Sequence, residues 1–266
     1  MFLKIIAAID PDQNPKDLEA FLDALNDKVE ISQDIVVLPG MVADSLEAAS
    51  PFENVHDKLL IDATSIVSTD PRSPDEPLEG SYNQPTPQWR QRGTASPPFE
   101  GLEAVEALEG VRQARLLRPN MLVVSTSIKG TPSPRTGQHE GDDAQESQRL
   151  EQIIQLRNSI WQLDSDKNLR WLFITNDDLD MTHTKARRRL LWQLTARFDV
   201  GRGLTFDEGR DRLCWDATTP IPSEEHGVRR WPAVTLHDEE TLAKVAAHPE
   251  LKKYEWPPHL SFGGPE

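Results

Sequence analysis

The chain has 266 residues, enough to bury a sizeable core in one large domain or two small ones. Forty-four acidic residues against 29 basic ones leave a net charge of −15, a surface that repels phosphate backbones and anionic membranes, so neither nucleic acid nor a membrane is an expected partner. A single cysteine, Cys214, excludes an internal disulfide framework and any cysteine-clustered metal or iron–sulfur site, and fits a reducing, cytoplasmic setting. The apolar run after Lys4 (IIAAI) is too short for a signal-peptide core, and no stretch of the chain has the length and apolarity of a membrane span.

Ile5 to Ile9 reads as a buried strand. Asp10-Pro11-Asp12-Gln13-Asn14-Pro15 is dense in turn and cap formers, with Asn14 and Pro15 suited to open a helix that runs to about Asn26. Leu18, Phe21, Leu22 and Leu25 share one face of that helix. Ile35 to Leu38 is a second strand, closed by Pro39-Gly40, and Leu59 to Ile61 a third, ending at Asp62-Ala63-Thr64. From Ser68 to about Gly101 the chain turns proline-rich and poor in apolar residues, the composition of a long loop or linker. A short helix is expected over Glu100–Glu109, a strand from Met121 to Val124 continuing through Thr126 and Ile128, and a polar, turn-rich stretch from Thr131 to Asp143. A strong helix near Ala144–Asp164 carries Leu150, Ile153, Ile154, Leu156, Ile160, Trp161 and Leu163.

The early series then returns. Arg170 to Thr175 is a strand, Asn176-Asp177-Asp178-Leu179-Asp180 its acidic turn, and Thr184–Thr195 a helix with Leu190, Leu191 and Leu194 inward. Leu204–Phe206 and Leu213–Trp215 are strands, the last ending at Asp216-Ala217-Thr218; a further helix is expected near Asp238–Ala247. The stretch DKLLIDAT (Asp57–Thr64) is nearly repeated as DRLCWDAT (Asp211–Thr218), and the two helices align at a constant offset of 169, with two extra residues expected in the second acidic turn. The expected fold is α/β, with duplicated strand-helix-strand-strand units forming a mostly parallel sheet, or two small sheets, flanked by helices. The layout is a first unit at 1–67, a proline-rich linker at 68–114, a second unit at 115–250 and a tail at 251–266.

Leu191 to Asp199 (LWQLTARFD), preceded by a strand and Asp177-Asp178-Leu179-Asp180 and followed by Trp215-Asp216-Ala217-Thr218 and Arg230-Trp231-Pro232, resembles the C-terminal domain of the UbiD family of (de)carboxylases. The first copy is similar to the same pattern in Ile9-Asp10-Pro11-Asp12, Asp17 to Leu25, Asp34 to Gly40 and Leu60 to Thr64. The resemblance covers 4–66 and about 115–250. Enzymes of that family bind prenylated flavin mononucleotide, with a divalent metal and potassium, in an N-terminal domain that has no counterpart segment here. The resemblance therefore implies an accessory, non-catalytic subunit of a multi-subunit complex acting on an aromatic compound. The cofactor is then expected in a larger UbiD-like partner subunit, and self-association is a further possibility. A self-contained metal-dependent enzyme and a structural homodimer unrelated to carboxylation are the alternatives.

No catalytic, cofactor-binding or metal residue is assigned. The acids nearest to such a role are Asp177, Asp178 and Asp180, with Asp10 and Asp12 in the first copy, which offer oxygen ligands for a hard cation but equally cap the following helix. Asp62 and Asp216 stand at strand ends, where α/β folds bind ligands, or where an Asx-type turn with Thr64 or Thr218 ends the strand. His183 lies beside an acidic turn. Cys214, inside an apolar strand, is expected to be inert. Lys185, Arg187, Arg188, Arg189 and Arg197 make a basic helix suited to an acidic partner or to solvent. Gly201-Arg202-Gly203 lacks the context of a phosphate loop. Trp161, Trp171, Trp192, Trp215, Trp231 and Trp256 are core fillers, with some candidates for an interface.

Overall fold

The computed structural model describes residues 4–42, 49–51, 54–65, 97–130, 143–177, 186–228 and 239–248. In chain order the elements are β1 (Ile5–Ile9), α1 (Leu18–Lys28), α2 (Ile31–Asp34), β2 (Ile35–Val42), β3 (Val55–Ala63), α3 (Leu102–Glu106), β4 (Val111–Arg118), β5 (Met121–Thr126), α4 (Asp143–Gln162), β6 (Trp171–Asn176), α5 (Ala186–Ala196), α6 (Val200–Gly203), β7 (Leu204–Phe206), β8 (Leu213–Asp216) and α7 (Glu239–Ala247). Residues 1–231 form one compact unit. Residues 232–266 form another, of which α7, with its Lys244–Glu240 ion pair at 2.7 Å, is the described helix.

Two sheets are present, in the orders β1-β3-β2 and β4-β5-β6-β8-β7. The expectation of a mostly parallel sheet is corrected: β1/β3, β5/β6 and β6/β8 run parallel, whereas β2/β3, β4/β5 and β7/β8 run antiparallel. The reason is loop length. Phe206 and Leu213 are separated by six residues, and a parallel return needs a crossover of a dozen or more. Asp207 closes that loop by accepting from Asp211 N at 2.8 Å and Arg212 N at 3.0 Å, with Arg210 at φ 55°.

Several boundaries also move. The first helix starts at Leu18 because Asp17 caps it, its Oδ1 accepting from Glu19 N (3.0 Å) and Ala20 N (3.2 Å); Asn14 spends its side chain on Lys16 N. Pro39-Gly40 does not end β2. The strand passes through them with a register break between Leu38 and Met41, and Gly40, at φ +63°, donates its N–H to Asp57 Oδ1 at 2.9 Å. The short helices α2 and α6 and the strand β4 had no clear apolar period and were not expected.

The two sheets share one core. Leu22, Leu25, Ile31, Leu59 and Ile61 of the first sheet region pack with Met121, Val123, Trp171, Phe173, Phe198 and Trp215 of the second. Phe198 stacks on Trp215 at 4.1 Å between centroids, and Trp215 Nε1 donates to Leu194 O at 3.1 Å. On its other face the five-stranded sheet is covered by α4, with Ile153, Leu156 and Ile160 over Leu122, Leu172, Ile174 and Cys214.

The segments β1-α1-α2-β2-β3 and β6-α5-α6-β7-β8 have the same order and the same strand senses: the first strand parallel to the last, the fourth element antiparallel to it. Ala8 pairs with Asp62 as Ile174 pairs with Asp216, so the first strands align at an offset of 166. The helices keep 169, and the acidic turn of the second segment is therefore longer by three residues, not two. These offsets carry Lys4 to Arg170, Asn26 to Thr195 and Val29 to Phe198. Lys4 Nζ donates to Thr195 O (2.9 Å) and Phe198 O (2.6 Å), and Arg170 donates to Asn26 O (2.8 Å) and Val29 O (2.6 Å). Each segment thus caps the C-terminal end of the other's long helix with the cation that precedes its own first strand, satisfying carbonyls the helix leaves open.

Lys4→Met and Arg170→Met are each expected to lower unfolding free energy by about 1.5–3 kcal/mol, the range for hydrogen bonds to charged groups. Urea unfolding of the two variants checks this, and a change confined to one of them would contradict the equivalence of the caps.

Candidate functional site

The sequence singled out acids at strand ends, and the structure shows what each one holds. Asp62 Oδ1 accepts from Thr64 N (3.0 Å) and Thr64 Oγ1 (2.7 Å); Asp216 Oδ1 accepts from Thr218 N (2.9 Å) and Thr218 Oγ1 (2.6 Å). Asp-Ala-Thr is thus an Asx-type turn that ends a strand, in both places. Asp10 accepts from Ser65 N (2.6 Å), Ser65 Oγ (2.7 Å) and Lys28 Nζ (2.5 Å). At the equivalent position Asn176 Oδ1 accepts from Thr219 N at 2.8 Å, and its Nδ2 donates to Thr219 Oγ1 at 3.3 Å. Burial raises the Asp10 carboxyl, but the Lys28 and Ser65 donors outweigh it and hold it at about 2.

A deeply buried charged cluster on α4 was not among the residues singled out in the sequence. Glu146 and Arg149, one turn apart on α4, are 0% and 4% exposed. Arg149 Nε and Nη2 donate to the two Glu146 oxygens, each at 2.7 Å, and Nη1 donates to Thr218 Oγ1 at 2.6 Å, with Asp216 Oδ2 at 3.5 Å. Burial opposes the Arg149 charge; the Glu146 and Asp216 carboxylates more than restore it and raise its proton affinity. Glu146 Oε2 also accepts from Ile221 N at 2.8 Å. Further along, Ser223 Oγ (2.5 Å) and Glu225 N (3.3 Å) donate to Asp143 Oδ1. The cluster therefore pins residues 218–225 onto the start of α4. Glu-x-x-Arg at helical spacing was the available signal, masked because it lies among the polar residues of that helix.

The other candidates are dispersed. Asp177 bonds Lys129, and Asp12 is exposed. Asp178, Asp180, His183, Lys185, Arg230, Trp231 and Trp256 lie outside the described residues, as do the side chains of Arg187, Arg188 and Arg189. Among the described residues, no group of three or more His, Cys, Asp or Glu side chains is placed to hold a metal ion. Cys214 is 2% exposed, and burial pushes its thiol well above the ordinary range, which fits an inert core residue. Gly201 and Gly203 sit in α6. A Cβ on Gly203 would come within 2.6 Å of Asp216 O, so the second glycine serves a close backbone approach, not a phosphate. Asp199 caps α6 through Arg202 N at 3.0 Å, and burial raises its carboxyl. Trp171, Trp215 and Trp161 fill the core, whereas Trp192 is 48% exposed with Arg197 over its ring. An open groove of about 810 Å³ between the start of β4 and α4 is lined by Leu108, Gly110, Arg112, Ile128 and Gln152, with Glu109 and Arg112 its ionisable groups. No helix among the described residues is long and apolar enough to cross a membrane.

The comparisons agree with the motifs. Residues 1–63 match the model of the 3-octaprenyl-4-hydroxybenzoate carboxy-lyase C-terminal domain, which is the UbiD C-terminal domain. The chain is 34% identical over 100 residues to the phenolic acid decarboxylase of Escherichia coli O157:H7, across 35% of this chain and 20% of that protein. It is similar to the vanillic acid decarboxylase of Sedimentibacter hydroxybenzoicus in its open form, at 25% identity over 30% of this chain and 17% of that one, with a TM-score of 0.24. The UbiD-class enzyme HmfF of Pelotomaculum thermopropionicum, in complex with FMN, aligns at 22% identity over 30% of this chain and 18% of that chain, TM-score 0.24. The sequence matches, not the superpositions, carry the link. The resemblance to the UbiD family is thus found independently of the motifs that suggested it, and the chain spans about a fifth of the curated relative's length.

Two outcomes follow from the buried charges. Arg149→Met is expected to cost about 3–5 kcal/mol, because it strands the Glu146 carboxylate without its partner, and adding Glu146→Gln to it should recover part of that loss in denaturant unfolding. Asp10 is more acidic folded than unfolded, so its stabilising effect is whole above about pH 4 and fades as pH falls through about 2. The stability gap between wild type and Asp10→Asn should therefore be widest near neutrality and close on acidification, measured by urea unfolding across that window.

Proposed function

We propose that this chain is an accessory, non-catalytic subunit of a multi-subunit UbiD-type carboxylase or decarboxylase acting on an aromatic acid. In this reading it is built from two copies of a C-terminal-type unit, 1–67 and 115–250, joined through 68–114, and their described parts within residues 1–231 share one core as an internal pseudo-dimer. The observation that carries this reading is the match of residues 1–63 to the C-terminal domain of the carboxy-lyase family, within a chain that spans a fifth of its decarboxylase relative. The reciprocal caps of Lys4 and Arg170 support the duplication, since a two-fold relation makes residue i touch j′ whenever i′ touches j.

Prenylated flavin mononucleotide, with its divalent metal and potassium, belongs in this reading to the larger partner. That cofactor supplies the decarboxylation chemistry when bound there. Asp10, Asp62 and Asp216 do not fit the metal of that group: they are already committed to Ser65, Lys28, Thr64, Thr218 and Arg149 donors, and a hard divalent cation needs open oxygens from several groups at once. What this chain contributes is a rigid surface, set by the shared core and the α4 strap, on which a catalytic chain can be held.

Co-expression with a tagged full-length UbiD-type chain of the same host tests the reading. The expected result is a stoichiometric complex that decarboxylates a hydroxybenzoate, with flavin absorbance that is absent from the purified accessory chain. Flavin bound to this chain alone, turnover without a partner, or no complex would each refute it.

A further inference from the structure

The two segments are alike in topology but unequal in what surrounds them. The second segment is completed by β4, β5 and α4. Strand β5 pairs parallel with the outer edge of β6, from Met121↔Trp171 to Thr126↔Asn176. Helix α4 covers the face formed by Leu172 (0% exposed), Ile174 (0%) and Cys214 (2%). Strand β4 crosses α1, where Arg118 bonds Glu19 and Asp23 and Leu117 joins the core. The β4–β5–α4 block thus touches a strand edge, a sheet face and a helix.

The three equivalent places, two on the first segment and one on α5 of the second, are open among the described residues. Among the described residues no strand lies beyond β1. Leu59 N donates to Lys4 O, so by alternation the amides of Ile6 and Ala8 face β3 and those of Ile5, Ala7 and Ile9 face the outer edge. The face that matches Leu172, Ile174 and Cys214 is Ile6, Ala8 and Leu60, flanked by Val36; Ile6 and Leu60 are half-buried, and Ala8 and Val36 are exposed, Val36 by 47%. On α5, Leu191 and Trp192 stand where α1 has Leu22 and Asp23, and they are 36% and 48% exposed against 7% for Leu22. Three of the chain's exposed large apolar side chains therefore fall on the footprint that β4–β5–α4 occupies in the other segment.

We infer that this footprint is a docking site for a hairpin-plus-helix module of the catalytic partner: a strand that adds parallel to β1, a preceding strand over Leu191 and Trp192, and an apolar helix face on Ile6, Leu60 and Val36. The occupant is deduced from the chain's own β4–β5–α4, which shows the chemistry that fits: a strand apolar on both faces, then a helix with an aliphatic stripe. A second copy of this chain cannot supply its β4–β5–α4, which is already engaged. Self-pairing through β1 would show as protection of Ala7 and Ile9 that grows with the concentration of the isolated chain, and would refute the partner as occupant. The inference rests on the subunit reading above and goes beyond it by naming the surface.

The test uses the full chain and the tagged UbiD-type chain. Ala7→Pro removes an edge-facing donor that has no acceptor among the described residues, and proline is tolerated on an edge strand; Trp192→Glu changes an exposed side chain. Both variants should keep the unfolding midpoint of the wild type while weakening the complex by about tenfold or more, the loss of one good interface contact. Hydrogen exchange adds a residue-level reading. In the isolated chain the amides of Ala7 and Ile9 should exchange at least ~100-fold faster than those of Phe173 and Thr175, and become protected in the complex. If the wild type forms no complex, the subunit reading falls and this one with it. If it forms one that both variants match, this inference alone is wrong. If Ala7 and Ile9 are already protected in the isolated chain, residues 66–96 of the same polypeptide, or another part of it, cover the edge, and the docking site is refuted.

Discussion

A cation at the foot of one unit closing the helix of the other is the contact on which this architecture turns. Helix C-termini leave carbonyls that need donors, and a helix whose end is buried against a neighbour cannot take them from water. Here α1 ends against the second sheet and α5 against the first, and Arg170 and Lys4 reach the two ends from just before β6 and β1. Once those positions are occupied, the apolar faces of both sheets are brought to a common core, with Trp171, Phe173, Trp215 and Phe198 on one side and Leu25, Ile31 and Leu59 on the other. Either unit alone would leave its inner face to solvent. The two segments therefore share one core.

Much of this was legible in the sequence, for reasons that differ by element. The apolar runs MLVV and RWLFIT announced β5 and β6 because buried parallel strands are apolar on both faces; IIAAI announced β1 as a strand, but that strand is an edge with Ala8 exposed rather than buried as expected. The periodicity of Ile153, Leu156 and Ile160 announced α4. Strand senses were the error, although the six residues between Phe206 and Leu213 already ruled out a parallel return. Strand β4 (VRQARLLR) was missed because an edge strand with one wet face and two register shifts loses its period-two pattern. The turns α2 and α6 are too short for any period to register.

The polar assignments divide in the same way. Asp-Ala-Thr was read either as a ligand site or as a turn, and the hydroxyl and amide of the following threonine decide for the turn in both copies. Asp10 in one unit and Asn176 in the other perform the same clamp on the chain after the last strand, one with an ion pair to Lys28 and one with a neutral amide. The residues there differ while the hydrogen-bonding geometry is alike. Glu146–Arg149 was illegible because its meaning depends on Thr218 and Ile221, 69 and 75 residues away. Long-range polar clusters of that kind leave no local pattern.

The caps also set a timetable for biosynthesis. Lys4 finds its partners 191 and 194 residues later, and α1 waits for Arg170, 144 residues beyond Asn26. At ribosomal rates of roughly 5–20 residues per second, the first unit emerges and stands for about 7–30 s with Leu22, Leu25, Ile31 and Leu59 lacking the surface that will cover them. A nascent chain in that condition is a client for chaperones, and a pause between the two halves would lengthen its exposure. The core that the two halves share thus makes the first half dependent, during synthesis, on a half that has not yet been made.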